Sequence, residues 1–168
     1  MYALSPSRLH VARRAHVAMV ALLVVCSTSL SAQTGASDLD GRGSDLVGSW
    51  EAQAYALATG ERHEVRGRIV FTSEEWQVLF FVMDGDEPAR GSGEGGRYTL
   101  EGDELTFEHL FHLSAGDALP GLEASPLTMT ARSGDGPLEP AGVELDGDRL
   151  RLSFPSGNSM SFVRSSRP

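Results

Sequence analysis

Few residues of this chain could do chemistry, and their spacing narrows what that chemistry is. His109 stands in the run Leu105–Leu113, where Leu105, Phe107, Phe111 and Leu113 share its parity. If that face is buried, the imidazole lies among apolar groups. There it either orients a polar part of a ligand or bonds to a neighbour as a core histidine. The second carries more weight, because buried polar groups normally find a partner. His112 is three residues on. Residues three apart on a strand point to opposite faces, so the two histidines cannot share one metal ion without a bulge. His63 lies beside a turn, and no cysteine stands after Cys26, so zinc has little to build from and no metal is expected.

The acids tell a similar story. Glu74-Glu75, Asp84-Gly85-Asp86-Glu87 and Asp146-Gly147-Asp148 sit in turn-like segments and read as solvated hairpin tips. The second could offer oxygens to Ca²⁺, but it lacks the twelve-residue loop pattern. No Gly-x-Ser-x-Gly stands anywhere, so no nucleophilic serine is marked. Gly91–Gly96 is flanked by Arg90 and by strands, and it reads as a loop or a bulge rather than a phosphate cradle. No catalytic residue and no cofactor is expected.

Composition supports this scarcity. All 14 basic residues are Arg, which excludes a Schiff-base lysine and a Gly-Lys phosphate loop. A formal net charge of −9 without a basic patch excludes nucleic acid as a partner. The first 32 residues carry Arg8, Arg13 and Arg14 and no acid. They continue with the apolar run Val17–Val25 and the small residues Ser27–Ala32. That is the pattern of an export signal cut after Ala32, too short in its apolar part to span a membrane. The mature chain then begins at Gln33, lacks cysteine, and carries −12, because the signal takes three Arg and no acid with it. A periplasmic or extracellular address follows, with no membrane span in the mature chain.

The elements that must position these residues are strands. Residues 33–44 are small and polar and read as a linker. From Asp45 to Ser165 short alternating runs are broken by Gly, Asp and Pro. Val65, Ile69 and Phe71 share one face, and Trp76–Met83 is apolar on both, as in a strand that is covered on both faces or lines a cavity. Glu101-Gly102-Asp103 and Asp146-Gly147-Asp148 read as tight hairpins that need positive φ. Asp45–Gly48 suits one helical turn. The series predicts an all-β domain, an antiparallel up-and-down β-barrel of about eight strands, with a β-sandwich or jelly roll as the alternative. A barrel of that size is filled by side chains or holds one small ligand. Its candidate lumen residues are Phe71, Trp76, Phe80, Phe107, His109, Phe111 and Met129.

Leu46-Val47-Gly48-Ser49-Trp50-Glu51 resembles the opening of lipocalin-like, or calycin, domains: a short helical turn and then Gly-x-Trp on the first strand. Phe162-Val163-Arg164 supplies the basic residue that packs over that Trp from the last strand. Gly95–Leu105 is similar to a stretch of bacterial lipocalin-like proteins. No second motif of the Thr-Asp-Tyr type is present. The resemblance covers Asp45 to Ser165. It implies a barrel closed at one end that holds a small hydrophobic molecule without catalysis. It also brings in a haem-binding or enzymatic barrel using His109, which ranks last. A structural or interaction domain of the cell envelope, working through its outer face, stands between them.

Overall fold

The computed structural model describes Gly43 and residues 45–166; the expected export signal and the rest of the linker lie outside the described residues. A helical turn at Gly43 and Asp45–Leu46 leads into the first strand, and the Val47 N–H donates to the Gly43 carbonyl over 3.3 Å. Nine strands follow: β1 (Gly48–Ala56), β2 (Arg62–Phe71), β3 (Glu75–Asp84), β4 (Glu87–Glu101), β5 (Glu104–Gly116), β6 (Ser125–Ala131), β7 (Leu138–Asp146), β8 (Arg149–Ser153) and β9 (Ser159–Arg164). Gly102 and Gly147 turn two of the hairpins at φ of 63° and 56°, the left-handed conformation those sites were expected to need.

Pairing runs antiparallel from β1 to β5, then from β5 to β7, β8 and β9, and β9 returns to β1. One sheet therefore closes on itself into an eight-stranded barrel, which leaves no room for the two-sheet alternative. β6 stands outside the ring, and among the described residues it pairs only to β5.

The core fills one end of the barrel. Trp50, Phe71, Leu105, Leu150, Leu152 and Phe162 are fully buried there with Leu46 and Ile69. Each such side chain contributes ~1.5–3 kcal/mol relative to exposure. The Trp50 Nε1–H donates to the Leu46 carbonyl at 2.9 Å, tying the helical turn to β1. The Arg164 guanidinium lies 4.0 Å from the Trp50 ring centroid and donates to the carbonyls of Val47 and Asp45. This is the stacked pair that the lipocalin-like resemblance implied, and it plugs the end.

Two expectations are corrected. Of the two readings of Gly91–Gly96 the loop is overturned, because the run lies in the middle of the 15-residue β4, while a register irregularity does fall at Gly95/Gly96. Gly91, Gly93 and Gly95 face outward, where Phe81 lies against Gly91, Leu79 against Gly93 and Phe111 against Gly95. Neighbouring side chains thus cover a strand that has few of its own. Phe111 and Met129 are not in the lumen. They are 41% and 70% exposed on the outer face. The cause is a bulge in β5. Gly96 pairs with His109 and Gly95 with Phe111, so Leu110 has no partner on β4 and the alternation shifts by one. Met129 pairs with Leu113 and follows it outward.

Candidate functional site

A cavity of about 310 Å³ occupies the barrel on the side away from the Trp50 plug. Its size falls at the low end for small-molecule sites. Ile69 from β2 and Trp76, Val78 and Phe80 from β3 form one wall. Phe107 from β5, Leu152 from β8 and Met160 and Phe162 from β9 form much of the rest. Strand alternation places these residues, since Ile69 of β2 and Trp76 and Val78 of β3 are buried and Phe80 half-buried, with exposed residues between them.

Of the seven residues expected in the lumen, Trp76, Phe80, Phe107 and His109 line this cavity. Phe71 points inward but belongs to the packed core beneath it, stacked on Phe107 at 6.3 Å and edge-on to Tyr98 at 5.3 Å. Phe111 and Met129 are on the opposite surface of the wall.

The polar part of the lining centres on His109. Its Nδ1 lies 3.0 Å from Glu94 Oε2 and its Nε2 lies 3.2 Å from Glu139 Oε2. The ring stands edge-on against Trp76 at 5.1 Å. The hydrogen bond to Glu139 and then that to Glu94 push the His109 pKa up to about 9, against the opposing effect of burial. At neutral pH His109 is therefore an imidazolium that donates from both nitrogens. Burial works to raise the Glu94 carboxyl, but bonds from His109 and Ser92 outweigh it and hold it below its ordinary value. Ser92 donates to Glu94 Oε1 at 2.9 Å, and His112 Nδ1 lies 3.5 Å from the same oxygen. His112 Nε2 sits 2.9 Å from Ser114 Oγ.

The Leu110 bulge is what brings His109 and His112 to one carboxylate. Strict alternation would have put them on opposite faces. Among the described residues no group of three or more His, Cys, Asp or Glu is arranged to hold an ion. His109 also has both nitrogens engaged, so an axial bond to haem iron would first have to break one charge-assisted hydrogen bond.

The rim adds a second polar pair. Asn158 Nδ2 donates to the Tyr55 hydroxyl at 2.8 Å, and Asn158 Oδ1 accepts from the Ala58 N–H at 3.0 Å. Burial raises the Tyr55 pKa. Beneath them one donor is unused. Trp76 is 4% exposed, and its buried Nε1–H has no hydrogen-bond partner among the described residues.

Sequence reasoning missed Glu94, Glu139, Tyr55 and Asn158 as lining residues. Glu94 carried a usable signal. In Gly91-Ser92-Gly93-Glu94-Gly95 every second residue is Gly, a period of two that fits a strand with a bare outer face and Ser92 and Glu94 inside. Nothing local marks Glu139 or Asn158, which arrive by long-range pairing.

No family model and no curated protein matches the chain. Solved structures do resemble it. A lipocalin-like protein from Bacteroides uniformis aligns with a TM-score of 0.46 and 20% identity, over 72% of this chain and 99% of that one. An uncharacterized protein from Bacteroides eggerthii gives 0.44 and 18%, over 71% and 99%. A de novo designed fluorescence-activating β-barrel gives 0.39 and 17%, over 73% and 96%.

Proposed function

We propose that the protein is a non-catalytic binding barrel that holds one small, mainly apolar molecule in the lumen. The observation that carries this reading is the cavity itself. It is walled by aromatic and aliphatic side chains, and its wall includes Trp76, whose indole N–H is unpartnered. A buried donor left without an acceptor costs ~1–3 kcal/mol, which a ligand oxygen or nitrogen would recover. The ligand class is therefore an apolar body bearing one hydrogen-bond acceptor. Haem held through His109 is not part of this reading, since Glu94 and Glu139 already occupy that ring. Export belongs to the proposal, and mass spectrometry of the secreted protein should find Gln33 at its N-terminus.

The test uses the two tryptophans. Trp76 lines the cavity, while Trp50 is sealed under Arg164 at the other end. A hydrophobic fluorophore that binds at micromolar concentration should quench the wild type, be displaced by long-chain alcohols or ketones, and lose most of its quenching in Trp76→Phe. Absence of fluorophore binding, or quenching that survives in Trp76→Phe, overturns the reading.

A further inference from the structure

We propose that the polar end of the lumen sorts ligands by the sign of their charge: it takes an apolar molecule whose head group donates a hydrogen bond, an alcohol above all, and turns away the matching carboxylate. The inference rests on the binding-barrel reading above and deepens it. An acceptor alone is supplied equally by an alcohol, a ketone and a fatty acid, and the charges of the lining separate the three.

Among the described residues, three charged side chains line the cavity: Glu94, His109 and Glu139. Two carboxylates stand against one imidazolium, so the lining is negative. Both His109 nitrogens are spent, Nδ1 on Glu94 at 3.0 Å and Nε2 on Glu139 at 3.2 Å. An incoming anion therefore finds a cation with no donor left to give. Arg90 offers none either. Its charge is felt at the Tyr55 hydroxyl, but its guanidinium donates to the carbonyls of Asp117 and Glu123, both at 2.6 Å, and it does not line the cavity. His112 reaches Glu94 Oε1 at 3.5 Å from outside the lining.

The acceptors are not all spent. Glu94 engages both of its oxygens, Oε2 on His109 and Oε1 on Ser92. Glu139 engages Oε2 on His109, and among the described residues its Oε1 meets no donor. That side chain is 44% exposed, so the oxygen is open to whatever enters. Opposite in character is Trp76, 4% exposed, whose Nε1–H has no acceptor. Its ring stands edge-on to His109 with centroids 5.1 Å apart, which brings the indole and the two carboxylates to the same part of the lining. A hydroxyl answers both needs: it accepts from the indole and donates to Glu139. A ketone answers only the indole, and an ammonium only the carboxylate. A carboxylate accepts from the indole, yet it must shed water beside two like charges.

Any apolar cavity disfavours a charged head group of either sign, because both lose hydration on entry. What distinguishes this lining is its asymmetry. A cation and an anion on the same alkyl chain lose comparable hydration, but only the anion meets repulsion from Glu94 and Glu139. Specificity of this kind comes from the repulsive element as much as from the attractive one. Glu139→Gln isolates it. The substitution keeps the size of the side chain and one acceptor oxygen, and it leaves one carboxylate against one imidazolium.

Displacement of the lumen fluorophore from the mature chain at pH 6 tests it with ligands of one chain length: decanol, the methyl ketone, decylammonium and decanoate. At that pH decanoate is mostly ionised and His109 stays protonated. Decanol should bind tighter than the ketone, and decylammonium at least about tenfold tighter than decanoate. In Glu139→Gln the ammonium-to-carboxylate ratio should fall at least about fivefold. A wild-type ratio below that threshold, a ketone that outbinds the alcohol, or a ratio unmoved in Glu139→Gln overturns the inference and leaves the binding barrel standing. Displacement by none of the ligands overturns both. Should Glu139→Gln fail to fold, the wild-type ratio and the order of alcohol and ketone decide alone.

Discussion

The most informative perturbation is to remove the charge of Glu139 and follow His109 through its titration. In the folded protein His109 titrates at about 9, whereas an ordinary imidazole titrates near 6.5. Each pH unit between those values is worth ~1.4 kcal/mol, so an upper bound near ~3.4 kcal/mol follows. Glu139 is 44% exposed, and solvent screening there reduces the expected contribution to ~1–2 kcal/mol. The sign is fixed by the direction of the change. A proton held more tightly by the folded state stabilises it fully below pH 6.5, progressively less between 6.5 and 9, and not at all above. The assay is urea unfolding at pH 6, 7.5 and 9.5, read as the difference between wild type and His109→Gln. That difference should shrink by ~1–2 kcal/mol over the range. Because Glu139 is the largest single cause, Glu139→Gln should lower the His109 midpoint, followed by NMR of the ring protons, by more than one pH unit. A wild-type midpoint at or below 6.5, or one that Glu139→Gln leaves in place, refutes the reasoning. On the acid side Glu94 behaves oppositely. Its depressed pKa adds stability above its ordinary value of 4.5 and loses it as pH falls through the folded value.

Two further outcomes are expected at the ends of the barrel wall. Arg164→Ala removes the stacking on Trp50 and the donors to Val47 and Asp45, and should cost ~1–3 kcal/mol in chemical denaturation while leaving fluorophore affinity unchanged. An equal loss of affinity would show that the plug and the cavity are coupled. Gly96→Ala places a Cβ 1.9 Å from the Glu108 carbonyl oxygen, so β4 and β5 must separate beside the bulge. It should lower stability by at least ~2 kcal/mol and return the His109 midpoint towards 6.5; a variant with unchanged melting would deny the close approach.

The fold was legible because its signals are local and repeated. Alternation in β2 and β3, glycines at hairpin tips, and the spacing of Gly48-Ser49-Trp50 from Arg164 all depend on residues whose roles are set by strand geometry. The inward aromatic set was readable for the same reason as far as Phe107. Beyond that point it failed at Phe111 and Met129, because a bulge is one residue long and leaves no compositional mark. Leu110 looks like any strand residue. The Gly-rich run misled in the other direction. Glycine disfavours strands through backbone entropy, but here Phe81, Leu79 and Phe111 lie over the bare positions and supply the packing the strand lacks. The polar lining was largely hidden because Glu94, Glu139 and Asn158 come from three distant parts of the chain.

That one bulge also explains why the two faces of this wall differ so much. Below Leu110, β5 pairs with β7 and its odd residues fill the lumen with Leu105 and Phe107. Above it, β5 has exchanged β7 for β6 and its parity has reversed. The reversal carries His112 inward to Glu94, so a carboxylate that would otherwise bond one imidazole lies within reach of two. It also carries Phe111 and Leu113 outward, beside Met129 on a strand that the ring does not enclose. An inward histidine and an outward aromatic are thus two consequences of a single inserted residue. Polar groups in the lumen and apolar groups on the exterior are each costly in isolation. The first is offset within the described residues by the Glu94–His109–Glu139 bonds. For the second, Leu113 stands opposite Met129 and Phe111 opposite Ala131 across β5 and β6.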